Sequence, residues 1–252
     1  MMITRRQLVV GSLASAALLS GCASRTGSSS TADVTGTRRT SEAGFVVLGP
    51  DYVSDVVPTF DSLKTFRTGE RQKARAILDA APRSTPVAVM RYFRDLRATN
   101  DLGEAYNAGW HGRWNPVLLA FFDAVDTKPV GDNTAWCAAF LNWSLARCQY
   151  KGGTRSSNSG TFRNVRGTTS RPASGDVVVF KQPEDCRGHV GLYVRKTGSE
   201  ILVLGGNQEF QGHHSVNEKI VPAQGSPLKF HSYHQISALK DAHSPLPRCP
   251  PR

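Results

Sequence analysis

Three side chains that can act together on a carbonyl group occur along the chain in the order cysteine, histidine and amide. Cys137 lies in Trp136-Cys137-Ala138-Ala139-Phe140, His189 in Gly188-His189-Val190-Gly191, and Asn207 in Gly205-Gly206-Asn207-Gln208. A thiolate attacks carbonyl carbons, an imidazole moves the protons that this attack requires, and a third polar group orients the imidazole. The three segments therefore predict a hydrolase that works through a covalent acyl-enzyme.

Cys137 is predicted to lie in the first turn of a helix that Asn133 or Thr134 caps. The aromatic residues that share one stripe of this helix are Trp136, Phe140 and Trp143. Free amide groups and the positive end of the helix dipole stabilise a thiolate at this position, and the same amides can bind an oxyanion. By its local sequence alone, Cys137 is better interpreted as a small buried structural residue.

The segment downstream changes that balance because it predicts a β-hairpin that carries His189. A three-residue turn at Thr197-Gly198-Ser199 places His189 directly opposite Asn207. The same register gathers apolar residues on the other face, namely Val190, Leu192, Val194, Leu202 and Leu204. A two-residue turn would pair His189 with Gln208 and break this agreement, so Asn207 is the predicted orienting group and Gln208 the alternative.

The order of the elements predicts an α+β fold. Helices are predicted at 69–80, from Pro86 after the N-cap Thr85, from Pro116 after Asn115, and around Cys137. Strands are predicted at 176–180, 189–194, 201–204 and 229–236. Helices followed by antiparallel strands make an α+β domain.

Four segments resemble CHAP-type cysteine hydrolases, which belong to the papain-like, NlpC-type superfamily of peptidoglycan amidases and endopeptidases. They are Ala135 to Trp143, Pro172 to Phe180, Gly188 to Tyr193 and Ile201 to Gln208, and the similarity extends over about Thr85 to Leu239. The resemblance implies a papain-like fold with the cysteine at a helix N-terminus packed on an antiparallel sheet. It also implies that Cys137 is the nucleophile, His189 the base and Asn207 the third residue, with peptidoglycan as substrate and no cofactor.

Further residues are candidates for contacts with substrate. Trp136, Tyr193 and Gln208 are possible substrate-contacting or orienting residues, and Tyr193 shares the predicted face of His189. The segment with Trp110, His111 and Trp114 either forms an aromatic rim for sugars or peptides or packs in the core.

No metal site is predicted. His213-His214 with His231 and His234 fits no zinc spacing, because tandem histidines in a polar loop rarely point at one ion.

The N-terminus predicts export. Arg5 and Arg6 precede an apolar run, Leu8 to Ser20, that is too short to span a bilayer. The run ends at Leu19-Ser20-Gly21-Cys22, which resembles a lipobox with Cys22 as the lipidated residue, and Thr4 to Leu8 resembles a twin-arginine signal. An uncleaved hydrophobic N-terminus is the alternative. Ala23 suggests sorting to the outer membrane, so a periplasmic, membrane-anchored lipoprotein is expected.

The chain is predicted to contain one catalytic domain with an extension. The predicted boundaries are 1–21 for the signal peptide, 22–44 for a flexible tether, 45–83 for an N-terminal extension, 84–240 for the catalytic domain and 241–252 for a tail. The extension is open to three interpretations: wall recognition, regulation or packing.

The formal net charge of +11 predicts an anionic partner, either the cell wall or lipid headgroups. The export signal and the lack of a basic-aromatic array argue against nucleic acid, and a monomer is expected. Cys137 and Cys148 lie about 16 Å apart along one predicted helix, too far for a disulfide. Cys186 remains open to pairing with either Cys148 or Cys249.

Three classes of function are compatible with these features. The first is a lipid-anchored peptidoglycan hydrolase that cleaves either a lactyl-alanine amide or a stem-peptide bond. The second is a catalytically silent wall-binding or scaffold lipoprotein on the same fold, and the third is a toxin-type amidase. The intact cysteine, histidine and amide set argues against the silent scaffold.

Overall fold

A computed structural model describes residues 38–40, 46–48, 67–182 and 187–241. The helices are α1 (Thr68–Ala80), α2 (Pro86–Arg94), α3 (Pro116–Ala120) and α4 (Cys137–Arg147). The strands are β1 (Arg38–Thr40), β2 (Val46–Leu48), β3 (Thr168–Thr169), β4 (Val177–Lys181), β5 (Gly188–Thr197), β6 (Glu200–Phe210), β7 (His213–Pro222) and β8 (Lys229–His234). The export signal, Cys22, Cys186 and Cys249 lie outside the described residues. Within the described ranges, no helix is long and apolar enough to cross a membrane.

Six of the strands form one antiparallel sheet in the order β3-β8-β4-β5-β6-β7, and β1 pairs with β2 separately. Helix α4 packs on strands β5 and β6 of this sheet. Phe93 of α2 makes edge-on ring contacts with Phe121, Phe140 and Trp143 at centroid distances of 5.2, 5.6 and 5.6 Å. The predicted α+β fold, with helices packed on an antiparallel sheet, is confirmed.

The helix starts that carry an X-Pro signal are as predicted. Thr85 Oγ1 accepts a hydrogen bond from the Ala88 amide at 3.1 Å, and Asn115 Oδ1 accepts one from Val117 at 2.9 Å. A 3-10 turn, Phe121–Ala124, continues α3 up to Val125. Proline at the first helical position and a side-chain cap before it are sufficient to fix these starts.

Helix α1 belongs to the same core as the catalytic segment. Its residues Ile77 and Leu78 are buried in the main apolar cluster. Arg147, at the end of α4 and fully buried, donates hydrogen bonds to the carbonyl oxygens of Asp79 and Ala81 at 2.7 and 2.8 Å. These contacts make α1, which lies in the predicted extension, part of the core that also contains α4.

Two local predictions are wrong. Helix α4 begins at Cys137, so its N-cap is Trp136, which makes no capping hydrogen bond, and neither Asn133 nor Thr134 is the cap. The Thr134 hydroxyl accepts a hydrogen bond from the Val130 amide at 3.1 Å. The pair His213-His214, interpreted above as part of a polar loop, begins strand β7. That strand is at the edge of the sheet, so polar residues dominate it and weaken the strand signal.

Candidate active site

Cys137 is the first residue of α4, and its side chain is almost entirely buried, with 4% of its surface exposed. Burial raises the pKa of the thiol, and backbone hydrogen bonds from Val190 and Ala138 act in the opposite direction. Val190 directly follows His189 in β5. The sulfur therefore lies against the strand that carries the predicted base.

His189 is also buried, with 7% of its surface exposed. Burial lowers its pKa to about 4, a hydrogen bond to Gln208 opposes this change, and the charge of Lys219 adds to it. The imidazole is therefore neutral at pH 7 and able to accept a proton.

Gln208 determines which nitrogen of His189 carries the proton. Its Oε1 lies 3.1 Å from His189 Nε2. Its Nε2 donates to oxygens of the surrounding strands: Asn217 O at 2.7 Å, Asn217 Oδ1 at 3.1 Å, and Gly205 O and Val203 O at 3.3 Å each. The amide group can satisfy these acceptors in one orientation only, with Oε1 facing the imidazole. An oxygen there accepts, so His189 Nε2 holds the proton and Nδ1 is left as the base.

The predicted contact between His189 and Asn207 is wrong, because Gln208 occupies that position. The turn between β5 and β6 has two residues, not three, since Thr197 pairs with Glu200. A bulge between Tyr193 and Arg195 restores the expected pairing of Leu192 with Leu204. A second bulge, between Gly205 and Gln208, places Asn207 at a φ of 57° and turns Gln208 toward the histidine.

Gly206 allows this second bulge to lie against α4. A Cβ atom at this position would overlap the Trp136 ring and come within 2.8 Å of Phe140 Cδ1. The glycine therefore sets how closely β6 approaches the helix that carries Cys137.

The thiol and the imidazole are not hydrogen-bonded to each other. Across the described residues, the His189 ring bonds only to Gln208, and no hydrogen bond joins it to Cys137. Burial disfavours the charged form of each group, so it opposes the thiolate that the helix N-terminus was expected to favour. Proton transfer must therefore accompany attack by the sulfur.

Two cavities flank the site and share Asn207 and His214 in their walls. The larger, about 540 Å³, includes His189, Gln208 and Lys219. The smaller, about 320 Å³, lies between the β6–β7 hairpin and the loop that precedes Cys137. His189 lines the larger cavity only, and Cys137 lines neither of the two.

Two predicted substrate contacts are placed elsewhere. Trp136 is fully buried and packs against Phe121 and Phe140, so it is a core residue. Tyr193 packs on Tyr233, with ring centroids 5.3 Å apart, in a second apolar cluster on the sheet.

The aromatic segment contributes both to the core and to the smaller cavity. Trp110 and Trp114 are buried, and Trp110 and His111 line the smaller cavity. The His111 ring lies 4.4 Å from that of His213. In the part of the chain that the structure describes, no three His, Cys, Asp or Glu side chains are arranged to hold a metal ion.

Comparison with known families agrees with this geometry, since residues 129–207 match the CHAP domain. This segment is therefore similar to CHAP domains. CHAP domains are a papain-like family of cysteine amidases and peptidases, and the α+β architecture, with Cys137 at the start of α4, is consistent with their fold. The CHAP domain implies a peptidoglycan amidase or endopeptidase that acts outside the cytoplasm. No curated protein matches the chain.

The family match covers Cys137 and His189 and ends at Asn207, one residue before Gln208. The third polar residue in contact with the histidine therefore lies just outside the matched segment.

Proposed function

We propose that this chain is a lipid-anchored cell-wall hydrolase in which Cys137, His189 and Gln208 cleave an amide bond of peptidoglycan. One observation carries the assignment of the site: the hydrogen bond between His189 Nε2 and Gln208 Oε1 leaves Nδ1 as the base in the strand that contacts Cys137. The CHAP domain supplies the substrate class, since hydrolases of this type act on peptidoglycan amide bonds.

The first half of the reaction forms a thioester. The thiol approaches His189 Nδ1, which takes the proton as the sulfur attacks the carbonyl carbon. Amides at the start of α4, including that of Ala138, stabilise the negative charge that develops on the oxygen. The imidazolium then gives its proton to the leaving amine as the carbon–nitrogen bond breaks.

The second half releases the acyl group. His189 Nδ1 accepts a proton from water, the hydroxyl attacks the thioester, and the departing Cys137 sulfur recovers a proton. Throughout both halves, Gln208 Oε1 accepts from Nε2–H, which prevents the ring from rotating and supports the positive charge when Nδ1 is protonated.

The anchor belongs to the same proposal. Cys22 in Leu19-Ser20-Gly21-Cys22 carries the lipid, and the polar segment that follows it tethers the domain near the wall. A Cys22→Ser variant should move the protein from the membrane fraction to the soluble periplasm. Recovery of that variant in membranes would contradict the anchor without affecting the hydrolase.

Purified peptidoglycan provides the test of activity. Incubation with the protein should release soluble fragments, and their masses identify the bond that is cut. Cys137→Ala should abolish release, whereas Cys148→Ala should retain it, since Cys148 is a free thiol at the opposite end of α4 from Cys137. Release by Cys137→Ala would refute the nucleophile.

A further inference from the structure

We infer that Asn217, in the edge strand β7, is a positioning residue that acts on His189 through Gln208. The inference rests on the proposed function, because it concerns the reaction assigned there. Asn217 lies ten residues beyond the end of the CHAP match, so the family comparison does not assign it a role.

The side chain of Asn217 makes hydrogen bonds in both directions with Gln208. Its Oδ1 accepts from Gln208 Nε2 at 3.1 Å, and its Nδ2 donates to the Gln208 carbonyl oxygen at 3.0 Å. Nδ2 also donates to Ser215 Oγ at 2.8 Å. Because Nδ2 faces two acceptors, the Asn217 amide has one favourable orientation, and that orientation presents Oδ1 to Gln208.

Asn217 also closes the bulge that brings Gln208 to the histidine. In the pairing of β6 with β7, Gly205 lies opposite Asn217 and Gln208 lies opposite Ser215. Two residues of β6, Gly206 and Asn207, therefore face only one of β7. The bond from Asn217 Nδ2 to the Gln208 carbonyl spans this irregularity and replaces a regular ladder contact.

The orientation of Gln208 matters because its amide oxygen fixes the proton on His189 Nε2. If the Asn217 side chain is lost, the Gln208 nitrogen keeps the Asn217 carbonyl at 2.7 Å and two longer contacts at 3.3 Å. The preference for one amide orientation is then weaker but not abolished. A flipped amide would present NH₂ to the imidazole, favour the proton on Nδ1 and remove the base.

Asn217 lines neither of the two cavities, so it is not expected to touch substrate. Its loss should lower kcat and leave KM nearly unchanged. A decrease in kcat of about ten-fold for Asn217→Leu corresponds to one to two hydrogen bonds. Asn217→Asp keeps an oxygen toward Gln208 Nε2, so its kcat should decrease less than that of Asn217→Leu.

The test uses the full chain with ¹⁵N-labelled histidine. Nitrogen chemical shifts of His189 should show the proton on Nε2 in the wild type and in Asn217→Asp, and a mixture of tautomers in Asn217→Leu. Rates of fragment release should follow the same order, and thermal melting checks that each variant folds. If Asn217→Leu does not fold, loss of the Nε2 tautomer in Asn217→Asp would overturn the inference.

The inference would also be overturned by an Asn217→Leu variant that keeps the Nε2 tautomer and a kcat within about two-fold of wild type. Failure of the proposed function looks different. If the wild type releases no fragments but the tautomer still shifts in Asn217→Leu, Asn217 positions the histidine as inferred and only the assigned reaction is wrong.

Discussion

The assignment of Gln208, rather than Asn207, as the partner of His189 leads to the most direct prediction. Gln208→Leu keeps the size of a side chain that is 97% buried but removes the acceptor 3.1 Å from His189 Nε2. The buried N–H then has no partner, which costs about 1–3 kcal/mol. If that cost falls on the transition state, kcat/KM decreases by about 5- to 150-fold.

The matched control is Asn207→Gly. Asn207 has a φ of 57°, which glycine adopts without strain, so this change removes the side chain and preserves the bulge. Initial rates of fragment release from purified peptidoglycan at pH 7 would compare the two variants with the wild type. A loss in Asn207→Gly that equals or exceeds the loss in Gln208→Leu would refute the assignment.

A third variant, Gln208→Glu, tests the electrostatic part of the reasoning. The carboxylate keeps an acceptor at the imidazole but adds a negative charge, which favours the protonated ring. The pKa of His189, about 4 in the wild type, should rise. The acid limb of the kcat/KM profile should therefore move to higher pH. An unchanged acid limb would show that His189 is not the group that controls it.

Three further predictions concern stability. The free energy of unfolding should fall by up to about 3 kcal/mol as the pH decreases from about 6.5 to 4, because unfolded His189 binds a proton in this range and folded His189 does not. In urea titrations, the free energy of unfolding of His189→Gln should depend less on pH than that of the wild type. An identical pH dependence would contradict this prediction. Gly206→Ala should lower the free energy of unfolding by about 1–3 kcal/mol, because the new methyl group would overlap the Trp136 ring. The control Gly69→Ala, in open space on α1, should not lower it. Equal melting temperatures of the two variants would refute the close approach of β6 to α4. Arg147→Met should lower the free energy of unfolding by about 2 kcal/mol and make α1 more sensitive to proteolysis, because the bonds to Asp79 and Ala81 are lost. The control is Arg91→Met, at an exposed position. Equal proteolysis of the two variants would show that Arg147 does not hold α1.

The parts of the fold that the sequence predicts are those with local signals. Thr85-Pro86 and Asn115-Pro116 each combine a side-chain cap with a proline at the first helical position, and both helices begin there. Strands β4 and β5 carry apolar runs that are buried in the sheet. The edge strand β7 lacks such a run, and its histidines, which face the cavities, are typical of a loop.

The proposed nucleophile and base, Cys137 and His189, follow from residue type and context, but the side chain in contact with His189 does not. Side chains alternate between the two faces of a regular strand, so one inserted residue exchanges the faces for every residue that follows. The first bulge, near Arg195, cancels the shorter turn, which is why the predicted register is correct at Leu192. No second irregularity offsets the bulge between Gly205 and Gln208, so the predicted register is wrong from Gly206 to Gln208.

A signal for that second bulge is present in the sequence, in the pair Gly205-Gly206. Glycine inside a strand marks either a bulge or a close backbone approach. Gly206 lies in the bulge of β6 and also at the close contact with α4, which a side chain there would overlap. The contact with the helix therefore fixes where β6 departs from regular pairing. That departure moves Gln208, and not Asn207, to the imidazole. The identity of the third residue thus depends on packing between α4 and β6, which a pairing rule within the hairpin does not contain.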